Sequence, residues 1–115
     1  MLAKKNRIQT NKEFQLIFRR SKPFSVEHLV LRAMKTNKSQ SRFGFVVSNK
    51  IDKRATRRNL LRRKLRAIAR EQIAKISNGY DIVVIVRVNP DRPYNFELLK
   101  SEMVAGLKKA GVYHD

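Results

Sequence analysis

Between Arg42 and Arg70 the chain reads RFGFVVSNKIDKRATRRNLLRRKLRAIAR, which holds eleven of its 27 lysines and arginines against one acid, Asp52. The stretch has the pattern of a strand, a turn and a helix. Cations fixed on a folded helix match the spacing of phosphates on a polyanion, so the chemistry indicated is phosphate recognition. Hydrolysis by the protein is not indicated. Two-metal cleavage needs several carboxylates converging on ions about 4 Å apart, whereas Glu13, Glu27, Asp52, Glu71, Asp81, Asp91, Glu97, Glu102 and Asp115 are scattered without a spacing that collects them. His28 and His114 stand alone, and a general base needs a partner that orients it. Both read as surface histidines, and neither a catalytic residue nor a metal site is expected in the protein.

The whole chain has a net charge of +18 on 115 residues and repels itself unless a polyanion neutralises it. Nucleic acid is the first candidate partner and an anionic membrane surface the second. Hydrophobic residues make up 42% of the chain and are spread along it, which favours a packed core over a basic arm lying on lipid. A single RNA-binding domain over 1–115 is the expectation. Cysteine is absent, so a disulfide or thiolate metal site is excluded and a cytoplasmic location is expected. No apolar run reaches the roughly 18 to 20 residues that a membrane helix needs.

The elements that must carry these charges follow from periodicity. Thr10-Asn11-Lys12-Glu13 has the form of a capping box and opens a short helix with Phe14, Ile17 and Phe18 on one face, stopping near Arg20 before Pro23. Val26 to Met34 alternates as a half-exposed strand, with Leu29, Leu31 and Ala33 on one side and His28, Val30 and Arg32 on the other. Lys35 to Ser41 is a polar loop, suited to a hairpin with a second strand around Phe43, Phe45 and Val47. From about Ala55 to about Ile76 the period is helical: Leu61, Leu65, Ile68, Ala69, Ile73 and Ile76 share one sector, while Asn59, Arg62, Arg63, Arg66 and Arg70 fall on a separate arc of roughly 100°. No acid intervenes on that arc. Gly79 suits the C-cap of this helix. Ile82 to Val88 has the branched apolar composition of a strand covered on both faces. An Asn89-Pro90 turn then leads to a last helix, marked by Phe96, Leu99, Met103 and Leu107 and ending near Gly111. The order αββαβα gives an α+β sandwich, with the third strand parallel to the second across a long helical crossover.

Ser48-x-Lys50 followed by Ala55-x-x-Arg58-Asn59-x-x-Arg62-Arg63-x-x-Arg66 resembles the signature of the bacterial ribonuclease P protein component. Asn6-Arg7-Ile8, Asn11, Phe14 and Phe18 resemble that family's N-terminal pattern, and element order and length agree from end to end. Leu60 stands where the family usually has a basic residue, Arg32 where it often has an aromatic, and the turn Ile51-Asp52-Lys53-Arg54 is one residue longer than its commonest form. The resemblance implies a mixed sheet with helices packed on it, like the second domain of ribosomal protein S5, and a left-handed βαβ crossover. It also implies a division of labour. The RNA subunit catalyses, using Mg²⁺ bound chiefly by itself and the substrate, and the protein binds that RNA and the 5′ leader of precursor tRNA in a 1:1 complex as a monomer.

On this reading Lys50, Arg57, Arg58, Asn59, Arg62, Arg63, Arg66 and Arg70 contact the RNA subunit, while Arg7, Lys12, Phe14, Phe18 and Arg32 hold the leader. Phe14 and Phe18 also suit a core on spacing alone, and an aromatic edge of a basic cleft stacks unpaired bases. Two rival readings share the charge. A ribosomal or other structural RNA-binding protein needs no leader cleft. A DNA-binding module would lay the arginine helix in a major groove, but Asn59 is the lone base-reading amide beside those arginines, a helix better suited to phosphates than to base edges.

Overall fold

Thr10 and Glu13 form the capping box that starts α1, Asn11–Arg20: the Thr10 hydroxyl accepts from the Glu13 N–H at 3.3 Å and the Glu13 carboxylate accepts from the Thr10 N–H at 3.1 Å. The computed structural model describes residues 3–87 and 95–114. The expected Asn89-Pro90 turn, the strand end at Val88, and Asp91 and Asp115 lie outside them.

Four strands follow α1 in one sheet: β1 (Pro23–Ser25), β2 (Leu29–Lys35), β3 (Arg42–Val46) and, after the long helix α2 (Ala55–Gln72), β4 (Tyr80–Val86). Their spatial order is β1-β2-β4-β3, with β2 antiparallel and β3 parallel to β4. The parallel pairing across the helical crossover is the one expected. The hairpin between the first two expected strands is not present. β4 is apolar from Ile82 to Val86 and buried along most of its length, and a strand that must be covered on both faces takes the centre of the sheet, which places it between β2 and β3.

A strand beyond the expected order also appears. Pro23 opens β1, an edge strand where its missing N–H goes unneeded, and the Val26 N–H donates to the Leu29 carbonyl at 2.9 Å to turn the chain into β2. Val26 to His28 are therefore turn, not strand. α2 passes into a 3-10 turn at Ile73–Lys75, so Gly79 caps no helix, although it does adopt the left-handed region at φ 85° just before β4. The last helix, α3 (Phe96–Lys109), starts on Asn95, whose side chain accepts from the Leu98 N–H at 2.7 Å.

Alternation along the strands divides the core between two faces. Leu29 and Leu31 of β2, Phe43 of β3 and Ile82, Val84 and Val86 of β4 pack against Leu61, Leu65 and Ile68 of α2 and Leu99, Met103 and Leu107 of α3. The opposite face carries a smaller cluster, Ile8, Ile17 and Val83, joined by the half-buried Phe14, Met34, Val46 and Ile85. α1 covers part of this second face, and Val30, Val46 and Ile85 remain half-buried. His28 corrects the expectation of a surface histidine. It is fully buried, and both its backbone N–H and Nδ1 meet the Glu102 carboxylate of α3.

Candidate nucleic-acid interface

The polar arc of α2 is half-exposed at Arg62 and Arg66 and exposed at Asn59, Arg63 and Arg70. Arg62 donates to the Asn59 side-chain oxygen at 2.8 Å and to the Val47 carbonyl at 3.3 Å, so the asparagine orients an arginine one turn along. Arg58 donates to the carbonyls of Asp52 and Lys53, each at 3.0 Å, and braces the turn before the helix. Arg57 stands 3.9 Å from the Asp52 carboxylate, while Lys50 is exposed.

Arg7 reaches the same place from the other end of the chain. Residues 7 and 8 run alongside β3 through a parallel bridge of Arg7 to Phe43, with the Ile8 N–H donating to the Phe43 carbonyl at 2.8 Å. This brings Arg7, like Arg62, within electrostatic reach of Arg66. Burial, then the positive charges of Arg7 and Arg62, push the Arg66 guanidinium below its ordinary pKa. The Nε atoms of Arg7 and Arg66 are both buried without a hydrogen-bond acceptor. Among the described residues no carboxylate pairs with any of the three. Like charges held together, with two buried donors lacking an acceptor, leave a positive cluster with the capacity to accept an anion.

The remaining leader candidates gather around α1. Phe14 lies over Gly44, where an added Cβ would fall 2.5 Å from the Phe14 ring, so the glycine is what lets the ring rest on β3. Phe18 is 38% exposed. The Arg32 guanidinium sits 5.4 Å from its ring centroid and donates to the carbonyls of Ser21, at 2.8 Å, and Phe18, at 3.3 Å, which holds a cation over an accessible aromatic. Lys12 is exposed on the first turn of α1. Thus Phe14, Phe18 and Arg32 assemble as one edge, while Arg7 belongs spatially with the arginines of α2.

Sequence reasoning passed over Arg42. Its guanidinium grips Asp81 of β4 in bidentate fashion, at 2.9 and 2.7 Å, and reaches Glu13 of α1 at 2.6 Å. The bonds to Asp81 lead in raising its pKa further above the arginine range. Burial pushes the Glu13 carboxyl up, but hydrogen bonds from Arg42 and Thr10 outweigh it and hold Glu13 below its ordinary 4.5. Other acids are likewise engaged: Glu102 with His28, Asp52 with Arg54, Glu71 with Lys100. His114 is exposed, as expected, beside the Ser77 hydroxyl.

A mixed sheet flanked by helices, bearing an unneutralised arginine cluster and, separately, an exposed aromatic edge, defines a small, basic α+β protein suited to a polyanion. The chain belongs to the ribonuclease P protein family, whose model, described as Ribonuclease P, matches residues 2–111. It is 35% identical over 113 residues to the ribonuclease P protein component of Syntrophomonas wolfei, covering 98% of this chain and 93% of that one. With the same component from Clostridium botulinum strain Loch Maree it shares 37% identity over 112 residues, covering 96% and 99%. The solved RNase P protein of Thermotoga maritima superposes with a TM-score of 0.80 at 34% identity, covering 90% of this chain and 96% of that structure.

Proposed function

We propose that this protein is the RNA-binding subunit of a ribonuclease P whose RNA is the catalyst, and that it holds both that RNA and the 5′ leader of precursor tRNA while the leader is cut away. The observation that carries the reading is the cluster of Arg7, Arg62 and Arg66, which no carboxylate of the described residues pairs with, together with a separate exposed aromatic edge at Phe18. Lys50, Arg57, Arg58, Asn59, Arg62, Arg63, Arg66 and Arg70 meet the RNA subunit. Phe14 and Phe18 stack on leader bases while Lys12 and Arg32 sit against the neighbouring phosphates. Arg7, expected on the leader from the sequence, is grouped with the arginines of α2 and meets the RNA backbone from there.

The chain's own carboxylates suit structure more than metal chemistry, because Glu13, Asp52 and Asp81 are engaged with arginines and Glu102 with His28. Mg²⁺ would accordingly be held by the RNA and its substrate and would supply the activation of water there. The protein acts as one RNA-binding domain, in the cytosol, as a monomer in a 1:1 complex with its RNA.

Replacing Arg62 and Arg66 together by Ala tests the interface. Affinity for ribonuclease P RNA should fall, and the slope of log affinity against log salt should flatten by about two phosphate contacts without loss of the folded state. An unchanged slope removes this helix from the interface.

A further inference from the structure

Two large apolar side chains stay exposed among the described residues, and Phe18 is already placed. The other is Leu60, 52% exposed in the middle of a basic helix turn. It forms one wall of a groove of about 400 Å³ between the turn before α2 and the first half of that helix, with Ile51 and Leu61 as the rest of the apolar lining. Arg57 and Lys64, three residues before and four after Leu60, flank it on the same strip of helix, and Arg58 completes a basic rim. Asp52, at the floor, already accepts from the Arg54 N–H at 2.9 Å, so it is engaged within the turn.

We propose that this groove seats an unpaired nucleobase of the partner RNA, its flanking phosphates lying against Arg57, Arg58 and Lys64. The inference rests on the RNA-binding function proposed above and adds a site to it. Charge selects the class of occupant, because a basic rim around an apolar bed complements a flat apolar ring joined to phosphates. Size selects within that class. A helical peptide needs anchors about two turns apart, whereas this groove has a single exposed apolar anchor. The Arg58 guanidinium, pinned by two carbonyls, offers a fixed planar surface on which a base can lie. Arg58, on the rim of the groove, lies one helical turn before Arg62 of the arginine arc.

The experiment uses the full chain with ¹³C-labelled methyl groups, titrated with a short single-stranded oligoadenylate and with an abasic strand of equal charge. The Ile51, Leu60 and Leu61 methyls should show ring-current shifts with the oligoadenylate and none with the abasic strand. In parallel, Leu60→Lys is compared with the native chain for oligoadenylate affinity over a salt series. If Leu60 were idle, a new cation beside phosphates would tighten binding and steepen the salt slope. A base seat demands the opposite, a loss of about five- to tenfold despite the added charge, which is about 1–1.4 kcal/mol and the lower end of what stacking one base is worth. Tighter binding by Leu60→Lys overturns the proposal. So do equal methyl shifts with the abasic strand, shifts elicited by an acidic amphipathic peptide and not by RNA, or concentration-dependent shifts in RNA-free protein. If Leu60→Lys binds tighter while the Arg62→Ala, Arg66→Ala chain still loses affinity, the groove fails alone. If neither change affects binding, the basic helix fails as an RNA surface.

Discussion

Phe18 divides one ring between two roles. Its 38% exposure leaves a stacking surface, and Arg32 against the ring lends a charge to it. A fully buried phenylalanine costs roughly 3–5 kcal/mol when cut to alanine, but a ring this open forfeits less. Phe18→Ala should therefore lower the melting temperature only modestly while weakening binding of a leader-bearing precursor tRNA by about 1–3 kcal/mol, with mature tRNA nearly unaffected. Paired affinities and a melting curve on the same variant decide it. Equal losses for both RNAs with a large thermal penalty would make Phe18 core. Phe14 gives the converse case, since its ring rests on Gly44. There Gly44→Ala should force the ring outward and destabilise the fold by about 1–3 kcal/mol, measured by denaturant unfolding.

Among the elements, α1 is held to the sheet by Arg42 as well as by apolar contact. The guanidinium joins Glu13 on the helix to Asp81, 3% exposed, on the central strand. Removing it by Arg42→Ala strands a buried carboxylate and should cost about 3–5 kcal/mol, read by chemical denaturation. The pH dependence follows from Glu13, whose folded-state pKa lies below its ordinary 4.5. A depressed carboxyl stabilises the fold fully above 4.5 and loses that contribution as pH falls through the lower, folded value. Melting temperature should drop as the solution is acidified below that point, and Glu13→Gln should flatten the drop. The helices and the parallel pairing of β3 with β4 were legible in the sequence, because caps and apolar period are local signals. The Arg42–Asp81 pair was not, since it depends on the register in which β3 lies beside β4, and a register set across a long helical crossover leaves no local signal. His28 was misread for the same reason: its partner Glu102 lies 74 residues away, and nothing near either residue signals the other. The arginine arc could be read from helical spacing alone, but Arg7 joins it only through the bridge to Phe43. Leu60 was visible in the sequence only as a departure from the family's usual basic residue, since the groove against it depends on where the turn at Ile51 lies.

The whole molecule carries +18 and concentrates three guanidiniums where no carboxylate of the described residues answers them. Such a chain is destabilised by its own field, so anything that binds the folded cluster and not the unfolded chain raises stability by mass action. General screening and specific anion binding are separable. Screening depends on ionic strength alone, whereas a site discriminates between anions at the same ionic strength and saturates. Sulfate or pyrophosphate should raise the melting temperature above that in chloride of matched ionic strength, reaching about 2.7 kcal/mol of added stability at a hundredfold excess over the dissociation constant. Replacing Arg62 and Arg66 together by Gln keeps much of each side-chain stem while removing the charge. In low salt that variant should melt no lower than the native chain, since it sheds repulsion, yet it should gain much less from the anion. An equal gain in both proteins would assign the effect to the diffuse charge of the surface, and the cluster of Arg7, Arg62 and Arg66 would lose its standing as an anion site.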